Sequence, residues 1–382
     1  MIRRVHFINF VRKFTLTSTL FLAPLYFLKL GFGGTAIGLI VAAFAVAPLI
    51  LSFPTGWVND RLSMKKVVLG GLAVESLSFL LMRAARGPAL MGGAFLLLGL
   101  ANNALDVSIN SLYYKDGAEA RPNRKYGTYI FWMSIGPPAG LIAGGILTQL
   151  GGFRLLVAVF AALTILAASA VRGFGAERFS VVRFADYRSR ILNPRTLAFA
   201  GLLFVLASHW GVEGTVYGPF LRERFGLGDL GVAAYMALAY LGLAFSALAV
   251  GRLAFDPARN RRLLLAGMAL SGLGLVLMVQ DDLRLSFLFR VVHECGDGIM
   301  GALVLLTISR LFEKHLIGGS AGILMSIQTA GQIAGSILFP SLGYHAGLQV
   351  PFFVAGALLL ANAGYGLFAV PRESRAEAAA SP

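Results

Sequence analysis

The chain has 382 residues, of which 57% are hydrophobic and 13% are charged, about half the charged fraction of a soluble domain. A mean hydropathy of +0.75 excludes a soluble protein with one anchor, because a single span of about 20 residues would be diluted by the rest. The single cysteine, Cys295, excludes a disulfide framework. The net charge is +15, but the basic residues lie between apolar runs and not on a polar domain, which argues against a nucleic-acid partner.

Twelve apolar runs follow one another along the chain, each long enough for a membrane-crossing helix. They lack the strict alternation of a β-barrel strand, and helices satisfy their own backbone in lipid. The sequence therefore predicts an all-α polytopic membrane protein. The predicted spans are 7–28, 35–58, 67–85, 89–113, 126–150, 153–171, 196–220, 230–253, 263–279, 285–311, 317–344 and 350–370.

The basic residues predict the orientation of these spans. Arg3 and Arg4 precede the first span without a small-residue cleavage site, which indicates a retained signal anchor. When the connections alternate between two sides, most of the 33 Lys and Arg, Arg12 and Lys13 among them, fall on one side. We therefore expect a multi-pass protein of the cell (inner) membrane, monomeric, with both termini cytoplasmic.

An internal repeat divides the chain into two halves. The stretch GWVNDRLSMKK, residues 56–66, follows the second span, and a degenerate copy begins 195 residues later at Gly251. The fifth and eleventh spans share this offset, since Gly136 and Gly140 correspond to Gly331 and Gly335. The longest polar connection lies between the halves.

Two six-span halves that each carry a Gly-x-x-x-Asp-Arg-like turn resemble the major facilitator superfamily of secondary transporters. The resemblance implies twelve transmembrane helices in two pseudo-symmetric six-helix bundles, residues 1–172 and 196–371. A cytoplasmic linker (173–195), amphipathic in composition, and a tail (372–382) complete this division. It also implies that the first loop tunes the switch between outward-closed and inward-closed states, although a plain positive-inside turn is the alternative. The switch residues are Gly56, Asp60, Arg61, Lys65 and Lys66.

The fifth span contains GPPAG, which partly resembles the Gly-Pro motif of the superfamily's proton-coupled exporters. Its candidate kink residues are Gly136, Pro137 and Gly140. An ordinary kink and packing seam is an equal alternative. The fourth span has no arginine where drug exporters of the family carry one, which argues against a multidrug assignment.

Ionisable side chains inside a membrane need partners, water or a function. Most of those in this chain lie on spans four, seven and ten, which line the central cavity in the resembled fold. Residues three, four or seven apart share a helix face, so three polar stripes are predicted. Glu75, on span three, is assigned to packing or to contacts between the two lobes. The predicted pathway residues are Asn102, Asn103, Asp106, Asn110, His209, Glu213, Tyr217, Arg290, His293, Glu294 and Asp297.

These residues favour proton-coupled transport. A carboxylate among Glu213, Glu294 and Asp297 would carry the proton, and His209 or His293 would relay it. Arg290 would either hold an anionic substrate group or favour the ionised form of a neighbouring acid, so that substrate and proton compete. The alternative is a structural Arg290–Glu294 pair.

The sequence therefore predicts a transporter, not an enzyme, that exports a small organic solute by alternating access, with protons, substrate and the bilayer as partners. No cofactor is expected, since a phosphate-binding Gly-x4-Gly-Lys-Ser/Thr motif is absent from the sequence. The alternatives are a divalent-metal transporter that uses the His/Glu/Asp cluster, a membrane enzyme, and a non-transporting sensor.

Overall fold

The computed structural model describes residues 2–115, 122–173, 184–252 and 257–370, and these residues form helices without a strand. The predicted tail, 372–382, and residues 174–183 of the predicted linker lie outside the described residues. The helices are α1 (Ile2–Lys29), α2 (Gly34–Arg61), α3 (Met64–Ala84), α4 (Pro88–Lys115), α5 (Pro122–Ala170), α6 (Phe184–Ile191), α7 (Pro194–Thr215), α8 (Tyr217–Phe225), α9 (Asp229–Arg252), α10 (Pro257–Leu277), α11 (Leu283–Leu311), α12 (Ile317–Ala346) and α13 (Val350–Ala369).

Every predicted span lies on these helices to within two residues, which confirms the all-α prediction. Within the described ranges, ten helices are long and apolar enough to cross a membrane. One of them, α5, holds two predicted spans, because the backbone breaks at Gly151 and Gly152, where a φ of 69° at Gly152 favours glycine. The remaining predicted span is α1, which carries Arg12 and Lys13 in its middle.

The chain divides into two compact units. The first comprises Met1–Gly117, Trp132–Tyr187 and Phe312–Ser326, and the second comprises Ala118–Phe131, Arg188–Leu311 and Ile327–Pro382. Each half of the sequence thus contributes a short segment to the unit formed mainly by the other half. The predicted bundle limits at residues 172 and 196 stay a prediction.

Each unit has its own aromatic core. In the first unit Phe27, Phe79 and Phe160 are fully buried, and in the second Tyr217 and Phe352 are. Rings of this size bury a large apolar area, so the cores hold the helices that carry the polar residues in place.

The internal repeat is visible in the contacts of its glycines. In the first unit a Cβ on Gly56 would overlap the carbonyl oxygen of Gly318. In the second unit a Cβ on Gly251 would lie 3.0 Å from the carbonyl oxygen of Asn123. Both residues of the second contact are displaced by 195 positions from those of the first. The repeated motif therefore occupies equivalent places in the two units, where glycine permits the close approach of two backbones.

Candidate functional site

The charged stripe predicted on span ten forms one face of α11. Arg290, His293 and Glu294 are fully buried, and the Asp297 side chain is 9% exposed. Their spacing of three, four and seven residues places them on one side of the helix. Charges buried inside an apolar helix require partners, and α7, α8 and α10 provide them.

Arg290 is held by two carboxylates and a ring. Its guanidinium donates to Glu213 of α7 and to Glu294 one turn along α11. The guanidinium carbon lies 4.8 Å from the centre of the Tyr217 ring, a cation–π distance. Nε of Arg290 has no hydrogen-bond partner among the described residues. The predicted Arg290–Glu294 pair is therefore present, and Glu213 extends it to a second helix.

Both ring nitrogens of His293 face hydrogen-bond acceptors. Nε2 lies 2.6 Å from Oε1 of Glu213, and Nδ1 lies 3.0 Å from the backbone carbonyl of Ser271. The Ser271 hydroxyl, 2.8 Å from Nδ1, donates its one hydrogen to Asp297 at 2.6 Å. Nδ1 must therefore donate, and a further proton must lie between Nε2 and Glu213.

His209 on α7 has the same arrangement. Its Nδ1 faces the backbone carbonyl of Leu206, and its Nε2 lies 3.1 Å from Oδ2 of Asp297. A proton must therefore lie between His209 and Asp297 as well. The rings of His209 and His293 are 5.5 Å apart, centre to centre.

We call these residues the histidine–carboxylate cluster. With two extra protons, one guanidinium and two imidazolium charges balance three carboxylates; without them, two negative charges remain. The cluster comprises His209, Glu213, Ser271, Arg290, His293, Glu294 and Asp297.

The structure brings seven of the predicted pathway residues together in the second unit, Tyr217 included, and adds Ser271 of α10. Ser271 cannot be singled out from the sequence, because a single serine in an apolar span has no distinguishing pattern. The one weak signal for it is its position in the span that precedes the charged stripe.

In the first unit, two of the predicted polar residues of α4, Asn102 and Asp106, contact Arg12. Arg12 is buried and donates to Asp106, to the Asn9 side chain at 3.1 Å and to the Asn102 backbone at 3.3 Å. Nζ of Lys13 lies 3.4 Å from Asp106. Arg12 and Lys13, which the charge distribution assigns to the cytoplasmic side, both lie inside α1, where Asp106 supplies a partner that offsets the cost of burial.

The other two asparagines of α4 turn to other helices. Asn103 accepts from the Ser52 hydroxyl at 2.6 Å and donates to Thr55 at 3.0 Å, both on α2. Nδ2 of Asn110 lies 3.7 Å from the sulfur of Met325 on α12. The four predicted residues of α4 therefore do not form one site.

Asp60 lies in the last turn of α2, where four donors of the described residues reach its buried carboxylate. Its carboxylate accepts from the backbone N–H groups of Gly318 (3.1 Å) and Gly319 (2.8 Å) at the start of α12. It also pairs with Lys115 at 2.7 Å and accepts from the Tyr187 hydroxyl at 2.9 Å. A negative charge at a helix N-terminus is stabilised by the unpaired N–H groups there.

Tyr187 connects the described part of the linker to this network. It lies on α6 and is buried against Phe53. Burial and the Asp60 carboxylate raise the pKa of the Tyr187 hydroxyl, so this hydroxyl stays protonated and donates.

The three basic switch residues lie at or near the surface. The guanidinium of Arg61 stacks on Trp57 at 4.3 Å. Lys66 is exposed and Lys65 is half-buried. These basic residues are therefore placed differently from Asp60, which is buried.

The glycines of the fifth span pack α5 against α1. A Cβ on Gly136 would lie 2.9 Å from the carbonyl oxygen of Phe10, and one on Gly140 would overlap that of Phe14. Pro137 and Pro138 lie inside the helix between them. This geometry agrees with the packing interpretation and leaves the exporter-specific one a prediction.

Long apolar helices, a repeat of 195 residues and charged groups buried among the helices define a polytopic membrane protein with an internal polar site. Residues 5–263 and 258–382 match the sequence model of the Major Facilitator Superfamily, and the chain belongs to this family. Members of this family are membrane transporters and not enzymes, and so is this chain. The family match confirms the predicted family, and the likeness to a solved structure of the same fold confirms the predicted fold.

Relatives and solved structures extend over most of the chain. Multidrug resistance protein 2 of Bacillus subtilis (strain 168) is 24% identical over 91% of this chain and 89% of its own length. Multidrug resistance protein MdtG of Rahnella sp. (strain Y9602) is 27% identical over 80% of this chain and 74% of its own. The crystal structure of the human organic anion transporter MFSD10 (TETRAN) has the same fold, with a TM-score of 0.79, 16% identity, and coverage of 96% and 99%.

Proposed function

We propose that this chain is a proton-coupled exporter of small organic solutes, and that the histidine–carboxylate cluster binds the coupling protons. The observation that carries the proposal is that both ring nitrogens of His209 and of His293 face acceptors. Each histidine–carboxylate pair can thus hold a proton and release it. Export is supported by two relatives, 24% and 27% identical, that are named multidrug resistance proteins.

Proton release would change how the cluster binds a solute. The protonated cluster is neutral, whereas loss of both protons exposes two negative charges near Glu213 and Asp297. A cationic or polar solute would then replace the protons as the partner of these carboxylates. Arg290 would stay bound to Glu213 and Glu294, so these two carboxylates could not both bind a solute at the same time. Proton and solute therefore compete for one set of groups, which is the requirement for exchange.

The Asp60 network would act as a conformation-specific contact. It joins the end of α2 to the N-terminus of α12 and to the linker helix, so it holds three segments that are distant in sequence. We propose that it forms in one transport state and breaks in another, with Arg61, Lys65 and Lys66 at the cytoplasmic surface. A simple positive-inside turn would not need a buried carboxylate with four donors.

The test is transport in proteoliposomes. A panel of cationic dyes and neutral drugs is screened by thermal shift at two pH values, and the ligands that stabilise the protein are used as substrates. We expect an imposed pH gradient to drive uptake, and Glu213→Gln and Asp297→Asn to abolish the dependence on the gradient. Glu223→Gln, an exposed glutamate of α8, is the matched control. Uptake that ignores the gradient in all four proteins contradicts proton coupling.

Divalent-metal transport is the second candidate, and one observation favours it. The ligand atoms of His209, His293 and Asp297 lie within 4.8 Å of one another. Two imidazoles and a carboxylate suit Zn²⁺ and neighbouring transition metals. We expect Zn²⁺ to raise the melting temperature of the wild type and not of the His209→Ala, His293→Ala double variant. Equal stabilisation of both proteins contradicts this candidate.

A further inference from the structure

A buried carboxylate in the first unit has no ion-pair partner among the described residues. Glu75 on α3 is 2% exposed. Its Oε1 lies 3.3 Å from the hydroxyl of Thr15 on α1, and its Oε2 has no hydrogen-bond partner in the described part of the chain. The packing role assigned to Glu75 from the sequence does not explain a carboxylate in this position.

The neighbouring charges are already engaged with another acid. Arg12, Lys13 and Asp106 are the charged groups that act on Glu75 electrostatically. Arg12 donates to Asp106, and Lys13 lies 3.4 Å from the same carboxylate. Both cations near Glu75 are thus bound to Asp106, and an ionised Glu75 would be a buried charge without direct compensation.

The hydrogen bonds of Thr15 indicate which form of Glu75 fits. The Thr15 hydroxyl lies 3.1 Å from the carbonyl oxygen of Val11 and 3.0 Å from that of Arg12, and these oxygens can only accept. The Thr15 hydroxyl has one hydrogen, whereas three acceptors surround it when Glu75 is ionised: the two carbonyls and Oε1 of Glu75. A protonated Glu75 can instead donate to Thr15 while Thr15 donates to a carbonyl, so the protonated form satisfies more of these contacts.

We propose that Glu75 is a second proton-binding site of this transporter, and that Glu75 loses its proton when the guanidinium of Arg12 moves from Asp106 to Glu75. The proton passes from the carboxyl O–H to water, and the new carboxylate pairs with the guanidinium. Lys13 stays beside Asp106, so Asp106 keeps a positive partner when Arg12 leaves. The coupling role rests on the proposed function, whereas proton binding at Glu75 does not.

Infrared spectroscopy of the purified full-length protein tests the protonation state directly. We expect a C=O stretching band of a protonated carboxylic acid that is missing from Glu75→Gln and shifted in Thr15→Val. Thr19→Val is the matched control, since Thr19 is a buried threonine one turn along α1 that donates to the Thr15 backbone at 2.8 Å. If Glu75→Gln does not fold, the band shift in Thr15→Val decides the question.

A carboxylic acid region that is identical in wild type and Glu75→Gln, or a band unmoved by Thr15→Val, overturns the proposal. The Arg12 exchange is tested by the number of protons moved per substrate, measured from the pH gradient that stops net flux. We expect Glu75→Gln to lower this number by about one. An unchanged number, with the infrared band present, overturns the exchange. If wild-type transport ignores pH, proton coupling fails, while the infrared result still decides whether Glu75 binds a proton.

Discussion

Asp60→Asn is the sharpest perturbation of the network at the end of α2. In the wild type, Oδ1 faces Lys115 and the Gly318 amide, and Oδ2 faces the Gly319 amide and the Tyr187 hydroxyl. Asparagine has one oxygen and one NH2 group, so it can accept hydrogen bonds from only one of these two pairs of donors. Its NH2 group then faces two donors, and the remaining oxygen carries no charge.

The size of the loss follows from these contacts. A hydrogen bond to a charged group contributes about 1.5–3 kcal/mol, and two such bonds are lost in Asp60→Asn. We therefore expect the free energy of unfolding to fall by about 3–6 kcal/mol. For a unit of this size, at about 2–4 °C per kcal/mol, that lowers the melting temperature by roughly 6–24 °C.

The assay is thermal unfolding of the purified protein in detergent, with two variants for comparison. Tyr187→Phe removes one of the four donors, so we expect a smaller loss. Asp281→Asn removes an exposed carboxylate that pairs with Arg224 at the surface, and a surface pair contributes less than about 1 kcal/mol. If Asp60→Asn and Asp281→Asn have the same melting temperature, the negative charge of Asp60 does not stabilise the contacts with its four donors, and the reasoning is refuted.

The face of α11 could be predicted from the sequence because helix periodicity is local. Arg290, His293 and Asp297 share a side whichever helices surround them. Their partners could not be predicted in the same way. Glu213 bridges Arg290 and His293 only because α7 and α11 have a particular register, and the sequence of neither helix records it. Ser271 enters the cluster for the same reason, through the register of α10.

The repeat could be predicted because the same glycine pattern occurs twice in the sequence, 195 residues apart. The contacts follow the same offset as the glycines: a Cβ on Gly322 would overlap the carbonyl oxygen of Ser52, and a Cβ on Gly127 would overlap that of Ala247. Small residues at such crossings are required wherever two backbones meet in a membrane protein. A glycine pattern that recurs at a fixed offset therefore predicts that the same helix crossing occurs twice.

Arg12 shows what a count of charges leaves out. The rule that cations mark the cytoplasmic side assumes that a cation has no partner inside the membrane. Arg12 has one in Asp106, 94 residues away, and a pairing of that separation is not visible in local sequence. Acids inside neighbouring spans should therefore be counted before a basic residue near a span end is assigned to a loop.

Two further predictions concern pH and packing. Tyr187 has a pKa raised above its ordinary value of about 10, so its contribution is present below that pH and lost as pH rises above it. The difference in melting temperature between wild type and Tyr187→Phe should thus shrink above about pH 10; a difference that grows there contradicts this. Gly140→Ala places a methyl group against the Phe14 carbonyl, whereas Gly145→Ala meets nothing within 4 Å. Since overpacking costs about 1–3 kcal/mol, only Gly140→Ala should lower the melting temperature. Equal melting temperatures would mean that α1 can move away from α5 without loss, and the packing role of this glycine would then be wrong.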